Sequence, residues 1–280
     1  MKICLIGHPL GHSLSPQIHT RLFELSGKKA EYSLEDIAPE ELVGKFGFLK
    51  EFDGFNITIP HKVAITEYCD ELSPEARRYS SVNCVKNGEV KAGYNTDCIG
   101  FTKSIKMLGA RLDSKVLLIG CGGVGRMMAI ETALEGGDLT IAALQSDMPL
   151  VEKAIGEIRS QKPEAVVKSA VIGDGPLSPE DLGNERFDLL LNSTPVGMFP
   201  KIDRMPCAPE LLDKTEYVFD VIYNPRDTLL AKTAREKGAR VLTGMAMLVL
   251  QAVAAHEIWY GASFDKADID KLISDMEALV

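Results

Sequence analysis

Two hydrophobic rhythms alternate along this chain. Residues 3–6 and 116–119 are uninterrupted apolar runs, the pattern of strands buried on both faces. Elsewhere apolar positions recur every three or four residues. Ile18, Leu22 and Leu25 fall on one helical face, with Ser15 as the expected cap, Pro16 in the first turn and Gly27 at the end. Tyr32, Leu34 and Ile37 predict a second strand. Residues 55–59 predict a third, stopped by Pro60, with a helix from His61 onward. Asn87-Gly88 between residues 82–85 and 90–94 predicts a tight hairpin. A helix is predicted over 98–108, and another from the glycine-rich loop to Glu135. Further strands are predicted over 139–144, 166–171, 188–192 and 217–221. Helices over 229–237, 245–260 and 266–279 complete the chain. This alternation of strands and helices predicts an α/β architecture.

The loop is Gly120-Cys121-Gly122-Gly123-Val124-Gly125, placed between a buried strand and a helix. Gly120, Gly122 and Gly125 fit G-x-G-x-x-G. The first glycine permits the turn, the second lets the backbone approach a pyrophosphate, and the third permits close helix–strand packing. The free N–H groups of the following helix complete an anion site that includes Gly123 and Val124. This pattern predicts a dinucleotide cofactor. An acid at the end of the next strand would bond an NAD ribose, and an Arg there would pair with the 2′-phosphate of NADP. Here that segment reads Ala142-Ala143-Leu144-Gln145-Ser146-Asp147. It has no Arg and only a late acid, so both NADP and NAD stay open. Gln145 can bond either ribose.

The length of 280 residues suits two domains, and a boundary falls near residue 100, before the nucleotide unit. Forty acidic against 31 basic residues give a net charge of -9, which argues against nucleic-acid binding. The longest apolar stretch, near 246–255, is interrupted by Gln251 and is shorter than a bilayer span of about 20 residues. The first apolar run is too short for a signal peptide. A cytoplasmic protein without membrane association is expected. The six cysteines show no C-x-x-C spacing, consistent with free thiols in a reducing compartment. His8 and His12 are four apart, but Pro9 and Gly11 oppose a helical metal face, so no metal is expected.

Polar residues cluster at a few places. Ser13 and Ser15 flank the first helix start, Asn56 and Thr58 alternate on the third strand, and Lys62 follows its proline turn. A lysine partly shielded from water exchanges protons near neutral pH. Asn83 and Asp97 follow. Each of these residues has an ordinary structural explanation alone, as a cap, a turn or a solvated side chain.

In order, however, they resemble the shikimate/quinate dehydrogenase family. The resemblance runs through residues 7–16, Asn56-Ile57-Thr58-Ile59-Pro60-His61-Lys62, Val82-Asn83 and Asn95-Thr96-Asp97. It continues through the glycine loop, Asn192-Ser193-Thr194-Pro195-Val196-Gly197-Met198, residues 220–225 and residues 244–251. It implies an N-terminal α/β substrate domain, residues 1–100 plus 244–280, and a Rossmann-type domain over 101–243. The C-terminal helices would return to the first domain.

The resemblance also implies roles. Ser13 and Ser15 would bind a substrate carboxylate. Asn56, Thr58, Asn83, Tyr223 and Gln251 would line the substrate, and Lys62 with Asp97 would form the catalytic pair. Asn192, Thr194, Met198, Val221 and Gly244 would lie by the nicotinamide half of the cofactor. The implied reaction is reversible reduction of 3-dehydroshikimate to shikimate, by a monomer or homodimer. A lysine ammonium suits it, because it protonates and stabilises a developing alkoxide.

Three departures stand out. The family's NADP-specific members usually carry Asn-Arg-Thr where this chain has Ala143-Leu144-Gln145. Cys84 stands where Thr is common, and Cys98 where Gly is common. They keep two alternatives in view: an NAD-preferring quinate/shikimate dehydrogenase, and a catalytically weak ligand-binding paralogue.

Overall fold

A computed structural model describes residues 1–11 and 13–280; His12, weighed above against His8, lies outside the described residues. The chain forms two compact units. Unit 1 comprises Met1–Gly100 and Leu248–Met276, and unit 2 comprises Phe101–Met247 and Glu277–Val280.

Unit 1 begins with β1 (Lys2–Gly7), α1 (Ser15–Leu25), β2 (Glu31–Asp36), α2 (Phe46–Leu49) and β3 (Gly54–Ile57). It continues with β4 (Glu71–Leu72), α3 (Pro74–Tyr79), β5 (Cys84–Lys86), β6 (Ala92–Tyr94) and the start of α4 (Thr96–Leu108). The sheet order is β2-β1-β3-β5-β6-β4. β1 runs parallel to β2 and β3, while β5 is antiparallel to β3 and β6. β1, flanked by β2 and β3, is buried from Ile3 to Ile6, as its unbroken apolar run demands.

Unit 2 holds β7 (Lys115–Ile119), α5 (Gly123–Glu135), β8 (Asp138–Leu144), α6 (Met148–Gln161) and β9 (Val167–Ile172). It adds β10 (Leu189–Asn192), β11 (Tyr217–Asp220), α7 (Leu229–Glu236), β12 (Arg240–Thr243) and the first turn of α8 (Gly244–Tyr260). The rest of α8, and α9 (Lys266–Glu277) up to Met276, belong to unit 1. All six strands of the unit 2 sheet are parallel, in the order β12-β11-β10-β7-β8-β9. Read outward from β7, this is the doubly wound dinucleotide-binding order, with the switch point between β7 and β10.

Several local expectations need correction. Ser15 is the first residue of α1, and Leu14 occupies the cap position. β3 ends at Ile57, and the chain after Pro60 makes turns before a short 3-10 helix at Ala64–Tyr68. The connection between β5 and β6 spans residues 87–91 and is no two-residue hairpin. The Asn87 amide is spent on Leu49 O at 2.8 Å, Phe52 O at 2.9 Å and the Tyr68 hydroxyl at 3.0 Å, which pulls it away from a turn role. α6 and β12 did not emerge from the pattern. The chain returns to unit 1 after Met247, later than the expected 244. Gly244 is bound into unit 2, its N–H donating to Ile222 O at 3.0 Å.

All six cysteines are free, and only Cys69 is even partly exposed. Burial pushes the Cys121 thiol up to about 11. Among the described residues no helix is long and apolar enough to cross a membrane, and no group of three His, Cys, Asp or Glu side chains is arranged to hold a metal ion.

Candidate active site

Most of the predicted substrate residues lie in unit 1, around the end of β3 and the start of α4. The Lys62 ammonium meets Asp97 Oδ2 at 2.7 Å, and the two side chains are 26% and 20% exposed. Both are therefore sheltered yet open to solvent. Asp97 sits in the first turn of α4, where its charge is favoured by the helix dipole. The backbone of Lys62 is pinned as well, its carbonyl accepting Val82 N–H at 2.7 Å.

Asn83, only 3% exposed, organises the pair. Its Nδ2 donates to Asp97 Oδ1 at 2.8 Å and to Thr96 Oγ1 at 3.0 Å, while its Oδ1 accepts Thr96 N–H at 2.6 Å. Thr96 Oγ1 in turn reaches Gln251 Oε1 at 3.2 Å, and Gln251 Nε2 donates to Leu248 O at 2.9 Å. Asn56 is buried, with Oδ1 accepting from the Tyr32 hydroxyl at 3.0 Å and Nδ2 donating to Asn83 O at 3.3 Å. Both asparagine amides are thus engaged within the protein. Thr58 lies just past β3, with its N–H bonded to Ile6 O at 2.9 Å and its methyl packed against Gly7, where a Cβ would overlap it. Ser13 Oγ accepts the Ser15 N–H at 3.2 Å, which places both hydroxyl-bearing residues at the α1 entrance.

The remaining candidates lie in unit 2. Gly120 ends β7 at a φ of +93°, a conformation that favours glycine, and its N–H donates to Ala142 O at 2.8 Å. Gly122 caps α5, whose first residues are Gly123, Val124 and Gly125. A Cβ at Gly122 or Gly123 would meet nothing within 4 Å, whereas one at Gly125 would overlap Ser193 Oγ and lie 2.7 Å from Gly120 O. The loop is therefore tight where helix and strand pack, at Gly120 and Gly125, and open at Gly122 and Gly123. These residues fit a dinucleotide pyrophosphate.

Across the switch point, Asn192 Oδ1 accepts from Thr194 N at 3.0 Å and Thr194 Oγ1 at 2.7 Å. Asn192 Nδ2 donates to Asp220 Oδ1 at 2.9 Å. Burial raises the Asp220 carboxyl above its ordinary range, while bonds from Thr228, the Ile222 N–H and Asn192 oppose the rise. Met198 is 46% exposed, Tyr223 is 36% exposed, and Gln145 is exposed in the short turn after β8. A Cβ at Gly244 would overlap the Val221 carbonyl, so that approach requires glycine. Tyr32, Asp220 and Thr228 escaped the sequence reading. The first two lie on strands that look like ordinary core, and only the paired register reveals their polar partners.

A doubly wound dinucleotide unit joined to an α/β unit bearing an ion-paired lysine among hydroxyl and amide groups defines a nicotinamide-dependent oxidoreductase. Residues 5–85 match the family model of the shikimate dehydrogenase substrate binding domain. A shikimate dehydrogenase (NADP(+)) of Moorella thermoacetica is 34% identical over 277 residues, 98% of this chain and 92% of that protein. One of Caldanaerobacter subterraneus subsp. tengcongensis is 37% identical over 267 residues, 94% of this chain and 92% of its own. Among solved structures, a 5-ketofructose reductase of Gluconobacter sp. strain CHM43 aligns with a TM-score of 0.85 at 29% identity, covering 99% of this chain and 98% of that one. A Thermus thermophilus shikimate 5-dehydrogenase in complex with NADP(H) and shikimate aligns at 0.83 and 28% identity, covering 98% and 99%. One from Listeria monocytogenes in complex with shikimate and NAD aligns at 0.84 and 28%, covering 98% and 96%. The chain belongs to the shikimate dehydrogenase family.

Proposed function

We propose that this protein catalyses the reversible reduction of 3-dehydroshikimate to shikimate with a nicotinamide dinucleotide. The observation that carries the reading is the Lys62–Asp97 pair, held at 2.7 Å and braced by Asn83. A bound dinucleotide supplies the hydride in reduction and accepts it in oxidation. The residues of unit 1 do the rest. Ser13 and Ser15 hold the carboxylate, and Thr58 and Gln251 hold ring hydroxyls. In reduction the Lys62 ammonium gives its proton to the carbonyl oxygen as the C–H bond forms, and is then reprotonated from solvent. In oxidation neutral Lys62 takes the hydroxyl proton. Asp97 holds the ammonium toward the reacting oxygen.

A second reading concerns the cofactor. No Lys or Arg occurs in residues 138–152, and the turn after β8 offers Gln145, Ser146 and Asp147. A 2′-phosphate finds no cation there and meets an acid, whereas a free ribose hydroxyl finds acceptors. This supports NAD as the better substrate, although relatives are named for NADP(+).

The test is initial rates with shikimate or quinate, each paired with NADP and NAD. Shikimate turnover with either dinucleotide is expected. A tenfold higher kcat/KM with NADP would overturn the NAD reading. Quinate turnover above shikimate turnover would move the substrate assignment, and the absence of turnover in all four pairs would favour a binding paralogue.

A further inference from the structure

Tyr32 lies outside every functional motif of the sequence, yet it stands at the junction of the polar groups in unit 1. It pairs in register with Ile3 of β1, and Asn56 pairs with Leu5. Ile3 and Leu5 share one face of β1, so Tyr32 and Asn56 project to the same side of the sheet from the two strands that flank it. The Tyr32 hydroxyl spans that gap and donates to Asn56 Oδ1 at 3.0 Å. Asn56 Nδ2 donates to Asn83 O at 3.3 Å, and Asn83 Nδ2 donates to Asp97 Oδ1 at 2.8 Å. The Tyr32 ring is clamped by His19, stacked at 4.3 Å between centroids and 10° between planes. Burial pushes the phenol well above its ordinary range, so it stays a donor at any working pH.

We propose that Tyr32 is a positioning residue for the substrate site: it orients the Asn56 amide and thereby braces the Asn83–Asp97–Lys62 line. The proposal rests on the dehydrogenase reading above. An amide presents an acceptor on one side and donors on the other, and it turns over unless its neighbours distinguish them. For Asn56 the phenol makes that distinction. The phenol directs its proton to Asn56 Oδ1, which leaves Nδ2 for the Asn83 carbonyl. Without the hydroxyl, Asn56 loses the one side-chain donor that reaches its Oδ1 among the described residues, and the segment carrying Asn83 loses a reason to sit in one place.

A double-mutant cycle tests this. Tyr32→Phe keeps the ring and its stack on His19 and removes only the hydroxyl. It is expected to lower kcat/KM for shikimate about fivefold, the worth of one neutral hydrogen bond, with the KM for the dinucleotide unchanged. Placed on an Asn56→Ala background, the same change is expected to have no further effect on kcat/KM, because the partner is already gone. A merely structural tyrosine would lower activity equally in both backgrounds, and that result overturns the proposal. So does Tyr32→Phe with wild-type kcat/KM. Wild-type protein assayed alongside separates the two readings. Normal wild-type turnover with an unaffected variant removes only the role of Tyr32, and loss of shikimate turnover in the wild type removes the dehydrogenase reading with it.

Discussion

Acidification from pH 7 to pH 5 is expected to weaken unit 1 through His19 and His256, two histidines outside the proposed chemistry. Their rings are 1% and 0% exposed. His19 Nδ1 and His256 Nε2 share one hydrogen bond of 2.9 Å, and His256 Nδ1 meets the Tyr260 hydroxyl at 2.6 Å. The remaining nitrogen, His19 Nε2, is buried with no partner. A proton added to this pair finds no free acceptor and puts positive charge in a dry aromatic cluster. Desolvation accordingly pushes both rings below the ordinary histidine range, His256 to about 3, and the neighbouring ring lowers His19 further. The unfolded chain carries ordinary histidines near 6.5 and takes up protons that the folded unit refuses. A depressed folded pKa gives stability that is complete above the unfolded value and is lost as the pH falls toward the folded one. For His256 that window runs from about 6.5 down to about 3. The slope is about 1.4 kcal/mol per pH unit for one proton, so His256 alone removes about 2 kcal/mol between pH 6.5 and 5. His19 adds to it with the same sign. Against a typical domain stability of about 5–15 kcal/mol the loss is large.

Trp259 is the built-in probe. It is the chain's one tryptophan, 4% exposed, with ring centroids 5.4 Å from His256 and 5.5 Å from His19. Urea unfolding followed by its fluorescence therefore reports on unit 1. His256→Gln keeps a hydrogen-bonding side chain beside His19 but cannot titrate. Its slope of unfolding free energy against pH between 6.5 and 5 should be shallower than the wild type by about one proton, about 1.4 kcal/mol per unit. Identical slopes in the two proteins would refute the argument.

Two further outcomes are expected. Lys62→Ala should lower kcat by about 10²–10⁴, the usual worth of a positioned acid–base group, while calorimetric shikimate binding persists; near-normal turnover would remove Lys62 from the mechanism. Gly54→Ala should lower the urea midpoint of unit 1 by the equivalent of about 1–3 kcal/mol. Its Cβ would come within 2.6 Å of Trp259 Nε1 and 2.7 Å of Val85 O, the two atoms joined there by a 2.9 Å hydrogen bond. An unchanged midpoint would mean that Trp259 is free to move.

The α/β class and the parallel nucleotide sheet were legible because buried strands write themselves as unbroken apolar runs, as at residues 116–119. α6 was not. Its buried residues Val151, Ala154 and Ile158 follow helical spacing, but Gly156 interrupts the pattern and few positions are apolar. β12 has only four residues. The hairpin expectation failed because Asn87-Gly88 is a turn signal only if the Asn side chain is free, and here it holds Leu49, Phe52 and Tyr68. Tyr32 failed for a related reason. Its bond to Asn56 crosses a strand and 24 residues, so it exists only once β1 stands between β2 and β3.

The two units solve one problem in opposite ways. Each sets a carboxylate against an asparagine Nδ2, Asp97 with Asn83 at 2.8 Å and Asp220 with Asn192 at 2.9 Å. An amide suits this place because it donates to the carboxylate while its oxygen fixes a neighbouring threonine, Thr96 in unit 1 and Thr194 in unit 2. The difference lies in what else reaches the acid. Asp220 is fully buried and, among the described residues, takes neutral donors, namely the Thr228 hydroxyl, the Ile222 N–H and Asn192, and burial raises its pKa. Asp97 has a lysine ammonium on its second oxygen and remains 20% exposed. The Asn83 bond holds Asp97 in place beside that ammonium. Asp220 therefore serves as a fixed strut for Asn192, which in turn holds Thr194. In the proposed mechanism Asp97 is the acid that takes part in turnover.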